Sequence, residues 1–107
     1  MGQDFSKQPV DISVNRGEEA IFRCTYPVNV RISWNGPGFE AGSIAPSAIN
    51  MNANTSILTI TNVNSSHAGG YFCTAHNISE GMDINSAEAY LEVKCKYIIN
   101  YNEELKA

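Results

Sequence analysis

Apolar and polar residues alternate with a period of two along this chain, in segment after segment. Ala20, Phe22, Cys24 and Tyr26 share one face of residues 19–26, and Val30, Ile32 and Trp34 share one face of residues 30–34. Leu58 and Ile60 do the same in residues 56–61, and Tyr71, Cys73 and Ala75 in residues 71–75. The cleanest run is 87–94, apolar at Ala87, Ala89, Leu91 and Val93 and polar or amphipathic between them. Successive side chains on a strand point to opposite faces, so this period predicts strands with one buried face each. None of these segments carries a helical period. Turn residues punctuate them: Arg16-Gly17, Asn35-Gly36-Pro37-Gly38, Ala68-Gly69-Gly70 and Glu80-Gly81. Short strands with one apolar face need a second sheet to bury it, so the expected class is an all-β sandwich without helices. The stretch from Gly36 to Thr55 alternates least, and one or two short irregular strands are expected there.

Length and charge narrow what such a sandwich can do. The 107 residues suit one domain with one core. Seven Lys and Arg against eleven Asp and Glu give a net charge of −4. The basic residues do not cluster, which argues against a nucleic-acid surface or a patch for anionic membranes. No apolar run approaches the ~20 residues that span a bilayer. The opening Met1-Gly2-Gln3-Asp4 lacks the basic and apolar stretches of a secretory leader. The three cysteines, Cys24, Cys73 and Cys95, leave at least one over after any internal pairing.

Cys24 and Cys73 fall mid-strand on inward faces. Trp34 is inward on the strand after Cys24, and Tyr71 precedes Cys73 by two residues. This Cys, Trp, Tyr-x-Cys set resembles the immunoglobulin superfamily, over about Pro9 to Lys94. Residues 56–77 are similar to the I-set pattern S-x-L-x-I-x-x-V-x-x-x-D-x-G-x-Y-x-C-x-A-x-N, carried here by Ser56, Leu58, Ile60, Val63, Gly69, Tyr71, Cys73, Ala75 and Asn77. His67 stands where the family usually has Asp. The stretch from Trp34 to Ser56 is long enough for a C′ strand, as in V-set and intermediate members. The resemblance implies a Greek-key sandwich with an inter-sheet disulfide Cys24–Cys73. Trp34, Tyr71, Leu58 and Leu91 are its expected core, with the Tyr71 hydroxyl bonded to backbone at the corner before its strand. The implied boundaries are 1–8 as an N-terminal extension, 9–94 as the domain and 95–107 as a tail or linker. Cys95 then lies at the domain edge. It would pair with a cysteine of a neighbouring module, link two chains, or stay a free thiol; the first fits a tail that reads as continuing chain.

Three sequons mark candidate glycans at Asn54, Asn64 and Asn77. Asn64 suits an exposed turn, Asn54 an exposed position before a strand, and Asn77 a hairpin brace. The hairpin residues Ile78, Met82 and Ile84, with Phe39 and Ile44, could line a partner-binding surface, or else fold under as a small satellite core. His67 and His76 lack metal-ligand spacing with each other or with a cysteine, so no metal or other cofactor is expected. No nucleophile elbow or phosphate loop occurs, so no enzyme is expected.

Two functions follow from the resemblance. One is a non-catalytic recognition module of an extracellular adhesion receptor. Its partner would be another protein, or the same receptor on an opposing cell, with no nucleic acid bound and no membrane inserted. Its Asn- and Ile-rich composition and His67 suit an invertebrate member, such as a cnidarian allorecognition receptor. The other is a structural spacer domain of an intracellular cytoskeletal or muscle-type protein.

Overall fold

The computed structural model describes residues 5–28, 30–77 and 81–94. Eight strands form two sheets: β1 (Ile12–Asn15), β2 (Ala20–Thr25), β3 (Arg31–Asn35), β4 (Ile49–Asn52), β5 (Thr55–Ile60), β6 (Gly69–Asn77), β7 (Met82–Asn85) and β8 (Ala89–Lys94). The larger sheet runs β1-β8-β6-β3, with β7 also on β6; the smaller runs β2-β5-β4. β7 and β8 lie along one edge of β6, β7 on Thr74 to Asn77 and β8 on Gly69 to Tyr71. Ser86 bridges the break between them: its N–H donates to the Cys73 carbonyl at 2.8 Å, and its Oγ accepts from the Cys73 N–H at 3.0 Å. β1 pairs with β8 in parallel, and every other named strand pair is antiparallel.

The alternation reads through to packing. Ala20, Phe22, Cys24, Tyr26, Ile32, Trp34, Leu58, Ile60, Tyr71, Cys73, Ala75, Ala89 and Leu91 are all buried between the sheets. Cys24 and Cys73 form the inter-sheet disulfide, with 6.6 Å between their Cα atoms. By the chain-entropy account a loop of this length stabilises the fold by about 4 kcal/mol. Phe22 stacks on Tyr71 at 5.3 Å between ring centroids and lies 6.4 Å from Trp34. The Trp34 indole N–H donates to Ser56 Oγ at 2.9 Å, so the buried indole keeps its hydrogen bond.

Three features differ from the reading of the sequence. Between Gly36 and Thr55 one of the expected short strands forms, β4, but residues 36–48 ahead of it hold a one-turn helix, α1 (Pro37–Glu40), and a 3₁₀ turn at Pro46–Ala48. In each case proline opens the turn, where its missing N–H costs nothing. A second 3₁₀ turn covers Ser65–His67. The chain then crosses to the smaller sheet as β4, so among the described residues no C′ strand forms and β3 is an edge. Ahead of Pro9, Phe5 packs edge-on against Tyr26 at 5.2 Å, and the Lys7 carbonyl accepts from the Thr25 N–H at 2.9 Å. Residues 5–8 therefore pack with the sandwich instead of extending from it. β1 itself is too short for its two apolar residues, Ile12 and Val14, to announce a strand.

Candidate functional site

Two polar arrangements stand out, one at the corner before β6 and one on the outward face of the larger sheet. At the corner, the Tyr71 hydroxyl donates to the His67 carbonyl at 2.7 Å and accepts from the Gly38 N–H at 3.0 Å. Both bonds hold a phenol that is otherwise fully buried. Burial pushes the Tyr71 phenol above the ordinary tyrosine value, and the Gly38 N–H partly opposes this. Gly36 must be glycine here, because a Cβ on it would sit 2.1 Å from the Tyr71 ring.

His67 takes over the capping work expected of an acidic residue. Its Nδ1 accepts from the Asn64 N–H at 3.0 Å, and Nε2 donates to the Ser43 carbonyl at 3.2 Å. Asn64 Oδ1 accepts from the Ser66 N–H at 2.8 Å, which completes a reciprocal cap of the Ser65–His67 turn. The imidazole thus ties the corner to the loop after α1.

On the outward face, His76 lies between β3 and β7. Its Nδ1 is 3.1 Å from Asp83 Oδ1, and its Nε2 is 2.8 Å from Ser33 Oγ. The ladder makes this line: Arg31 and Asp83 both register with His76, and Ser33 is two residues along from Arg31 on the same face. Thr74 Oγ1 donates to Asn85 Oδ1 at 2.8 Å in the next row. An open cavity of about 360 Å³ beside the line is bounded by Arg31, His76, Met82 and Asp83 among others. Sequence spacing gave no sign of this row, since its members meet only through strand register. The one available signal was outward phase on strands already inferred from their apolar partners.

The sequence-derived candidates scatter. Phe39, Ile44 and Ile84 are partly buried against the core, which fits the satellite-core alternative. Met82 is exposed, and Ile78 lies outside the described residues. Phe39 meets Tyr71, whereas Met82 pairs with Asn77 at the far end of β6, roughly 20 Å away at the rise of a strand. These residues do not form one surface, because α1 turns Phe39 back onto the Tyr71 ring. Of the sequons, Asn77 is buried at 6% exposure, a poor acceptor position and a suitable brace. Asn54 is half-buried rather than exposed, with its side-chain amide bonded to the Tyr26 carbonyl. Asn64 is half-buried and engaged in the cap. Cys95 lies outside the described residues. Among the described residues, no three His, Cys, Asp or Glu side chains group to hold a metal ion, and no helix is long and apolar enough to cross a membrane.

Facing sheets, a disulfide between them and a tyrosine-bonded corner define an immunoglobulin-type sandwich. The immunoglobulin domain family matches residues 4–77, and the chain belongs to that family. No curated protein matches it. Among solved structures, it is similar to a chimeric titin Z1Z2 functionalized with a KLER peptide from decorin, at 26% identity and TM-score 0.68, over 90% of this chain and 100% of that one. Titin domains z1z2 in complex with telethonin match at 26% identity and TM-score 0.68, over 90% of this chain and 51% of that one. The twitchin kinase region from C. elegans, at 24% identity and TM-score 0.67 over 84% of this chain and 16% of that one, shares the fold.

Proposed function

We propose that this chain is a protein-interaction module working by surface contact, one immunoglobulin unit of a longer chain, of the spacer type. The observation that carries this reading is the likeness to titin Z1Z2 at 26% identity over 90% of this chain. The titin structure holds the domains z1z2 in complex with another protein, telethonin, and the twitchin structure places an Ig domain in a kinase region. Nothing in this reading requires chemistry from the domain, and it adds weight to the intracellular alternative over a receptor ectodomain.

A second reading, a cell-surface recognition domain, rests on the Cys24–Cys73 disulfide. Such bonds persist in oxidising compartments and are rare in the cytosol. Homophilic binding, the I-set subtype and a cnidarian allorecognition role draw no support from the comparisons. Trapping thiols in cells that make the protein, then measuring intact mass, separates the two readings. Reduced Cys24 and Cys73 with bare Asn54 and Asn64 are expected of a spacer. An oxidised pair with glycan at either asparagine would overturn that in favour of the surface receptor.

A further inference from the structure

The Ser33, His76, Asp83 line has the order and polarity of a nucleophile, a base and an orienting group. A carboxylate only accepts hydrogen bonds, so in the neutral ring the Asp83 contact puts the proton on Nδ1. Nε2 is then bare, and at 2.8 Å it accepts the Ser33 hydroxyl proton. Both distances fall within the reach that general-base activation needs. We propose that Ser33 is an activated nucleophile that takes the acyl group of an activated ester, with His76 as its base and Asp83 as a positioning residue.

The step balances within these groups. Ser33 Oγ bonds to the ester carbonyl carbon as its proton passes to His76 Nε2. The tetrahedral adduct collapses, the ester C–O bond breaks, and His76 returns the proton to the departing alkoxide or phenolate. Water, deprotonated by the same Nε2, then attacks the acyl-serine, releases the carboxylic acid and restores Ser33. Arg31 registers opposite His76 and lines the cavity beside it with Asp83, so a cation borders the side of the line where an ester would enter. Met82 lines the same cavity and gives the ester's apolar portion a surface. A built-in control exists on β1. Ser13 Oγ donates to Glu92 at 2.9 Å on an exposed strand, with a carboxylate as its partner and no histidine bonded to it.

The test treats the full chain with a fluorophosphonate probe and with p-nitrophenyl acetate, and maps adducts by mass spectrometry. The expected result is an adduct on Ser33 and none on Ser13. Ser33→Ala should abolish the adduct, and His76→Gln should slow it by about tenfold or more. Asp83→Asn should slow it and Asp83→Glu should restore part of the rate, a rescue that a merely structural role would not produce. All three side chains face outward, and circular dichroism checks that each variant is folded. Labelling that is absent, that falls elsewhere, or that is unchanged in His76→Gln would overturn the proposal.

Discussion

The corner before β6 and the outward face of β3, β6 and β7 each hold a histidine with two hydrogen bonds, and they use it in opposite ways. His67 accepts from one backbone N–H and donates to one backbone carbonyl. Neither partner can change its role, so one neutral tautomer is fixed, and the ring is 2% exposed. His76 faces a carboxylate and a hydroxyl, and the hydroxyl can donate or accept. Its ring is partly open to solvent. The first histidine caps a turn through backbone groups alone, and the second bonds only to side chains. The difference lies in the partners, since His67 lies just before β6 and His76 lies within it.

The largest effect should come from cutting the element that both regions depend on. In the oxidised protein, Cys24→Ala removes the inter-sheet disulfide and should cost about 4 kcal/mol in chemical denaturation. An unchanged unfolding midpoint would remove the disulfide from the account. Next, Gly36→Ala drives a methyl into the Tyr71 ring and should cost about 1–3 kcal/mol by overpacking. The corner should loosen while the sheet-face row keeps its geometry, which near-ultraviolet dichroism and amide exchange at Thr74 to Asn77 would report.

Tyr71→Phe deletes the phenol that bonds the His67 carbonyl and the Gly38 N–H, at an expected cost of about 1–3 kcal/mol. It should also change the alkaline limb of stability. Because burial raises the folded-state value of Tyr71, the folded chain holds that proton more tightly than the unfolded chain. This contribution is complete below pH ~10, the ordinary tyrosine value. It is lost as pH rises through the higher folded value. Denaturant midpoints measured from neutral to strongly alkaline pH should therefore fall less steeply in Tyr71→Phe than in the parent.

Much of this architecture was legible because burial between two sheets imposes a period of two. Cys24, Trp34, Leu58, Tyr71 and Leu91 announced themselves that way, and the Tyr71 corner followed from its place two residues before Cys73. The one-turn helix at Pro37 was not legible, since four residues carry no period. The candidate partner residues scatter for a related reason: α1 folds Phe39 onto Tyr71, and no alternation signals such a reversal. The Ser33, His76 and Asp83 line depends on register across three strands. Its members sit 43 and 7 positions apart, spacings without meaning until the ladder is known.

Parallel thermal melts of His67→Ala and His76→Ala test the contrast most directly. His67→Ala removes a ring that is 2% exposed and unpairs the part-buried Asn64 N–H and Ser43 carbonyl, at about 1–3 kcal/mol. In a domain this size each kcal/mol lowers Tm by roughly 4–8 °C. His76→Ala unpairs the half-buried Ser33 hydroxyl and the exposed Asp83 carboxylate, side chains that can turn to water, and should fall within about 0.5 kcal/mol of the parent. A Tm several degrees lower for His67→Ala and nearly unchanged for His76→Ala is the predicted result. Equal losses, or a larger loss for His76→Ala, would contradict the division between a structural histidine and a chemical one.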